Sequence, residues 1–193
     1  MRTGEQNYLD LGCAFAQDIR RLVADGVDSS KCYGADLRLD LIELGYELFR
    51  DKEMLKSQFI AADIFDSDSP LMALAGQIDI IDASSFFHLF NLDEQKTIAR
   101  AVIKLMTPRK LSLVVGRQVD AVEPGETLNR LGKSRYRHNL ESWRKLWDDV
   151  GEEIGVRFAV DCISKPVELG RREGTDVPDA GSSMMEFSVR RQN

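Results

Sequence analysis

The chain has 193 residues, enough for one domain with a sizeable core, and its 43% hydrophobic and 30% charged residues describe an ordinary globular protein rather than a disordered or fibrous one. The net charge of −6 argues against a nucleic-acid backbone as the main partner, because such proteins carry a basic excess. No apolar run approaches the ~20 residues of a membrane span, and no signal peptide is expected; Cys13, Cys32 and Cys162 show neither metal-ligand spacing nor a disulfide framework, so the expected setting is reducing and cytoplasmic, with no metal.

Tyr8 to Gln17 reads as the end of a buried strand, a tight turn at Gly12 and the start of a helix, with Asp10 where the strand ends. That helix is expected from Phe15 to Asp25, with Phe15, Ile19, Leu22 and Val23 on one face and Gly26 as its stop. A second strand spans Lys31 to Leu37, a helix Asp40 to Arg50, and a third strand Gln58 to Ala62, ending at Asp63. After a polar turn and a short helix through Leu71 and Leu74, Ile78 to Ala83 reads as the fourth strand. Asn91 or Asp93 can cap the next helix, whose apolar face is Ile98, Ala101, Val102 and Leu105.

Leu111 to Gly116 is the fifth strand, placing Arg117 at its end, and Gln118 to His138 reads as a long binding loop. Asn139 caps a helix with Leu140, Trp143, Trp147 and Val150 on one side, the two tryptophans reading as core. Arg157 to Ile163 is the sixth strand, Ser164 to Ser183 a mobile hairpin arm, and Met184 to Arg190 the last strand. Alternation at this spacing predicts an α/β fold, a three-layer doubly wound sheet of seven mostly parallel strands, with an antiparallel edge from the closing strand pair.

Ligands of such sheets sit beyond the carboxyl ends of the strands, where Asp10, Asp36, Asp63 and Ser84 fall. An acid at Asp36 suits the two hydroxyls of a ribose, and Asp63 can accept from an adenine amino group, with Leu37 and Ile64 flanking the base. A pyrophosphate needs three spaced glycines, but Ala14 and Gln17 occupy the places after Gly12, and Asp10 adds negative charge where a phosphate would come. The ligand that fits three acids and no phosphate cradle is S-adenosyl-L-methionine, with its ammonium, ribose and adenine. The expected cofactor-binding residues are Asp10, Gly12, Cys13, Asp36, Leu37, Asp63, Ile64 and Ser84. Cys13 reads as a small packing residue rather than a nucleophile.

Across nearly its whole length the sequence resembles the class I S-adenosylmethionine-dependent methyltransferases, and more narrowly the small fungal enzymes of meroterpenoid biosynthesis. The residues that carry this are Asp10-Leu11-Gly12-Cys13 with Phe15 to Arg20, Leu44 to Asp51, and Ser85-Phe86-Phe87-His88-Leu89-Phe90. Gly116-Arg117-Gln118 and Arg137-His138-Asn139 with Ser142-Trp143 complete the match.

The resemblance implies strand order 3-2-1-4-5-7-6 and esterification of a carboxylic acid on a prenylated aromatic intermediate. It implies an acceptor near His88 and His138, candidate bases for a phenol, and near Arg117, which would pair a carboxylate; these three are the expected catalytic set. The expected partner is a small-molecule substrate, with no nucleic acid and no membrane. Family members carry a helical segment before the first strand that helps cover the cofactor. The expectation here is a single domain, 1–193, whose lid is cut away, absent or supplied by another protomer of a homodimer. The alternative expectation is a non-catalytic or truncated relative that binds the cofactor or a partner protein.

Overall fold

The computed structural model describes residues 4–166 and 183–193. Strand β1 (Tyr8–Leu11) is buried at all four positions, and its side-chain alternation divides the two cores of the molecule. Leu9 and Leu11 join the larger core, whereas Tyr8 joins a smaller one with Cys13, Ile19 and Ile42. Asp10 shares the parity of Tyr8 and stands on the smaller-core side of the sheet.

The smaller core is covered by α1 (Gln17–Ala24) and α2 (Leu39–Phe49), which flank β2 (Cys32–Asp36). After β3 (Gln58–Ala61), a 3-10 turn (Pro70–Leu74) leads into β4 (Ile80–Asp82). The larger core is filled by α3 (Leu92–Leu105) and α4 (Leu140–Ile154), where Trp143 and Trp147 are wholly buried. Both helices start on capping boxes: Asn91 with Glu94, and Asn139 with Ser142. The remaining strands are β5 (Leu113–Asp120), β6 (Gly125–Leu128), β7 (Ser134–Arg137), β8 (Phe158–Pro166) and β9 (Ser183–Arg191).

Seven strands form one sheet in the order β3-β2-β1-β4-β5-β9-β8, the expected doubly wound topology. β1 to β5 run parallel to one another, and β9 runs antiparallel to both β5 and β8. The winding reverses between β1 and β4, which opens a crevice at their carboxyl ends.

Several boundaries differ from the sequence reading. α1 starts at Gln17 rather than Phe15, because Ala14 (φ 46°) and Ala16 (φ 52°) take left-handed backbone. β4 is shorter than Ile78 to Ala83, since Ile78 bridges to Met106 instead. β5 runs on to Asp120 because β9 pairs with it along its full length, so Arg117 lies inside a strand, opposite Glu186, and not at a strand end. The stretch read as a long loop, 118–138, contains the antiparallel hairpin β6–β7. Of the expected hairpin arm, β8 takes the first residues to Pro166 and β9 begins at Ser183; the rest, 167–182, lies outside the described residues.

Candidate functional site

The loops that leave β1, β2, β3 and β4 converge on one cavity of about 460 Å³, within the ~300–1,000 Å³ of small-ligand sites. Gly12, Asp36, Leu37, Asp63 and Ile64 line it, five of the eight residues expected to contact a cofactor. Each reaches the wall because its strand ends there. Gly12 turns the chain with φ 81°, and a Cβ on it would lie 2.7 Å from the ring of Phe86, another wall residue.

The first two loops are tied together through Asp36. Its carboxylate accepts the Ala14 N–H (2.9 Å) and the Arg38 N–H (2.9 Å), while the Gly12 and Cys13 amides donate to the Ala35 carbonyl (2.8 and 3.1 Å). A carboxylate offers about four acceptor directions, so Asp36 keeps capacity toward the cavity. Asp63 is exposed; one of its oxygens accepts the Phe65 N–H (2.9 Å), and the other has no partner among the described residues. Apolar wall is supplied by exposed Leu37, buried Ile64, and a run of rings in which Phe65 and Phe86 each pack on Phe90 (5.4 and 5.3 Å).

Asp10, Cys13 and Ser84 stand off the cavity wall. Asp10 is buried in register with Asp82 of the neighbouring strand. Burial first, then the charges of Asp82, Asp18 and Asp36, push its carboxyl up to about 8. Asp82 is engaged otherwise: it accepts from the Tyr8 hydroxyl (3.3 Å) and from the Ser84 N–H (2.8 Å). Burial also drives the Cys13 thiol well above its usual range, so Cys13 packs and does not react at neutral pH.

The chain is 45% identical over 163 residues to the O-methyltransferase phiE of a fungal species, covering 83% of this chain and 54% of that protein. It is 38% identical over 189 residues to the asnovolin E/chermesin D methyltransferase nvfJ of Aspergillus novofumigatus, covering 97% and 66%. The fold matches that of the 1,6-didemethyltoxoflavin-N1-methyltransferase of Burkholderia thailandensis, solved with S-adenosylhomocysteine, at a TM-score of 0.71 over 100% of this chain and 74% of that one. At 13% identity that likeness concerns the fold alone. Over most of its length the chain is thus similar to fungal methyltransferases.

The chain spans between about half and two thirds of the length of those curated relatives. No protein-family model matches it. Among its described residues no helix is long and apolar enough to cross a membrane.

None of His88, His138 and Arg117 lines this cavity. His88 sits in the 3-10 turn Phe87–Leu89, immediately before the wall residues Leu89 and Phe90. Burial, then the charges of Arg135 and Arg137, push it down to about 4. His138 is buried between Tyr136 and Trp143 (ring centroids 4.7 and 5.3 Å), with its Nδ1 2.9 Å from the Ser142 hydroxyl; burial holds it at about 4. Arg117 is exposed, and its carbonyl accepts the N–H of the wall residue Ser85 (2.7 Å).

The sequence reading missed Phe65, Glu94 and Lys133 as wall residues, and gave Ser85, Phe86, Leu89 and Phe90 only as part of a resemblance. The aromatic run after β4 was a usable signal. Lys133 had none, because it reaches the wall only through the pairing of β6 with β7.

Proposed function

We propose that this chain binds S-adenosylmethionine in the 460 Å³ cavity and methylates a carboxylate oxygen of a small, partly apolar acid. The observation that carries the reading is the convergence of four strand ends on one cavity, with acceptor capacity at Asp36 and Asp63 and no glycine cradle for a phosphate. Asp36 would take the ribose hydroxyls and Asp63 the adenine amino group, with Leu37 and Ile64 against the faces of the base. Asp10, two residues before Gly12, would give up its proton to pair with the cationic amino acid tail. The names of the curated relatives support a methyl transfer, and one of them names small-molecule acceptors.

When bound, the cofactor supplies an electrophilic methyl group on a sulfonium. A carboxylate acceptor would take that methyl group on oxygen without giving up a proton. A carboxylate is already ionised at neutral pH, so no general base is needed. His88 and His138, both near 4, are poorly matched to a phenol, which favours an acid as acceptor. The protein's part is to orient two ligands and exclude water, which in well-oriented reactions supplies roughly 7–11 kcal/mol.

Calorimetry with S-adenosylhomocysteine tests the cofactor half. Wild type should bind, and Asp36→Ala should weaken binding tenfold or more while keeping the fold. Mass spectrometry with S-adenosylmethionine and a panel of carboxylic acids and phenols tests the acceptor half, with a methyl ester as the expected product. Failure to bind S-adenosylhomocysteine, together with competition by NADH, would overturn the reading.

A further inference from the structure

The hairpin β6–β7 is fastened onto the segment that follows β4. The Tyr136 N–H donates to the Phe90 carbonyl (2.8 Å), and the Gln95 side-chain amide donates to the carbonyls of Phe90 (3.0 Å) and Tyr136 (2.9 Å). Leu92 N–H donates to Glu126 (3.2 Å) at the other strand of the hairpin. Strand alternation puts Arg135 and Arg137 on one face of β7, with Lys133 in phase just before it. Lys133 lines the cavity, and its ammonium lies 5.3 Å from the Phe90 ring centroid and 3.8 Å from Glu94. This row of cations therefore starts at the cavity rim and passes His88, which comes under the charge of both Arg135 and Arg137.

Two nitrogens at this row lack a partner. His88 Nδ1 and Arg135 Nε are both withdrawn from solvent with no hydrogen-bond partner, and Arg135 forms no ion pair with any described carboxylate. A buried polar group left unpaired costs about 1–3 kcal/mol, more for a charged one. His88 comes under the charge of Arg135 where β7 packs on the Phe87–Leu89 turn, and an anion seated there would satisfy both groups.

We propose that His88 and Arg135 seat the carboxylate of the acceptor, between the Phe87–Leu89 turn and β7, at the edge of the methyl-donor cavity. Arg137 adds to the positive field, and Phe86, Leu89 and Phe90 offer the apolar wall for the rest of the acid. The inference rests on the methyltransferase reading above and names the acceptor-binding residues within it. It also accounts for product release: the methyl ester carries no charge, so the charge-assisted bonds that hold the acid are lost when the reaction is complete.

The test uses 4-tert-butylbenzoate as the anionic probe and 4-tert-butylbenzamide as its neutral control, with the protein saturated in S-adenosylhomocysteine. Wild type should bind the acid at least tenfold more tightly than the amide. Arg135→Gln and His88→Asn should each weaken the acid tenfold or more while the S-adenosylhomocysteine Kd stays within threefold. The acid should also raise the titration midpoint of the His88 ring in wild type, read by NMR; a merely structural histidine would not respond. If Arg135→Gln fails to fold, His88→Asn and the ring titration decide the matter. Equal binding of acid and amide, no binding of the acid, or an unchanged acid affinity in both variants overturns the assignment. Loss of S-adenosylhomocysteine binding by wild type would instead sink the underlying methyltransferase reading.

Discussion

Asp10 is the residue whose environment departs furthest from that of its free side chain in a way that bears on function. Burial beside Asp82 raises its carboxyl from 3.8 to about 8, so near neutral pH the folded protein holds a proton that water would remove. A cationic amino group brought close favours the charged form. S-adenosylhomocysteine binding between pH 6 and 8 should therefore release a proton, and affinity should rise with pH by up to about tenfold per unit. Calorimetry in two buffers of different ionisation enthalpy reads that proton, and Asp10→Asn should abolish it. Without ligand the sign is opposite. A raised carboxyl adds stability that is complete below 3.8 and is lost as pH rises through about 8. The urea midpoint should thus fall between pH 6.5 and 8 in wild type and stay level in Asp10→Asn.

The α1–α2 junction sets the loop that carries Gly12. Gly45 of α2 lets the helix approach Phe15, whose carbonyl would sit 2.8 Å from any Cβ there. Arg20 of α1 donates to the same carbonyl (2.6 Å), pairs with both oxygens of Asp51 (2.6 and 2.9 Å), and stacks over Phe49 at 4.5 Å. Both partners of this pair are largely buried, so Arg20→Met should destabilise by about 3 kcal/mol in urea unfolding and weaken S-adenosylhomocysteine binding through the loop.

The same loop carries left-handed backbone at Ala14 and Ala16, each strained by roughly 1 kcal/mol. Ala14→Gly should therefore stabilise by up to about 1 kcal/mol. At Ala16, loss of a fully buried methyl, worth about 0.8 kcal/mol, offsets the relief and leaves the midpoint nearly unchanged.

These elements show what a sequence can and cannot convey. Asp36, Leu37, Asp63 and Ile64 were legible at the cavity because strand ends are marked locally by a switch from apolar to polar residues. The delayed start of α1 was not, since the apolar spacing from Phe15 onward is helical and only the backbone sign at Ala14 and Ala16 interrupts it. The length of β5 was illegible for a different reason: its last residues are held by β9, far away in the chain. Arg135 was passed over because its place beside His88 depends on the register of the β6–β7 hairpin.

At the scale of the whole molecule, the two histidines make acid the condition under which the fold weakens. Both are held near 4 by burial, against about 6.5 in an unfolded chain. Between those values the unfolded chain takes up protons that the folded one refuses, so stability is full above pH 6.5 and is lost as pH falls toward 4. Each histidine contributes a loss of up to about 1.4 kcal/mol per pH unit, while Asp10, protonated only in the fold, contributes a gain of up to about the same size. From pH 6.5 to 5 the balance is two against one, a net loss of about 1.4 kcal/mol per unit. His138→Gln removes one of the two losses and should leave the urea stability almost level over that range, since the glutamine can still meet Ser142. Because His138 packs between β7 and Trp143 while His88 lies under the arginines of β7, protonation of either should loosen the hairpin before the sheet. Hydrogen exchange at pH 5 should accordingly show the Tyr136 amide opening earlier than the amides of β1. Equal protection at the two places, or an unchanged slope in His138→Gln, would show that acid acts elsewhere in the molecule.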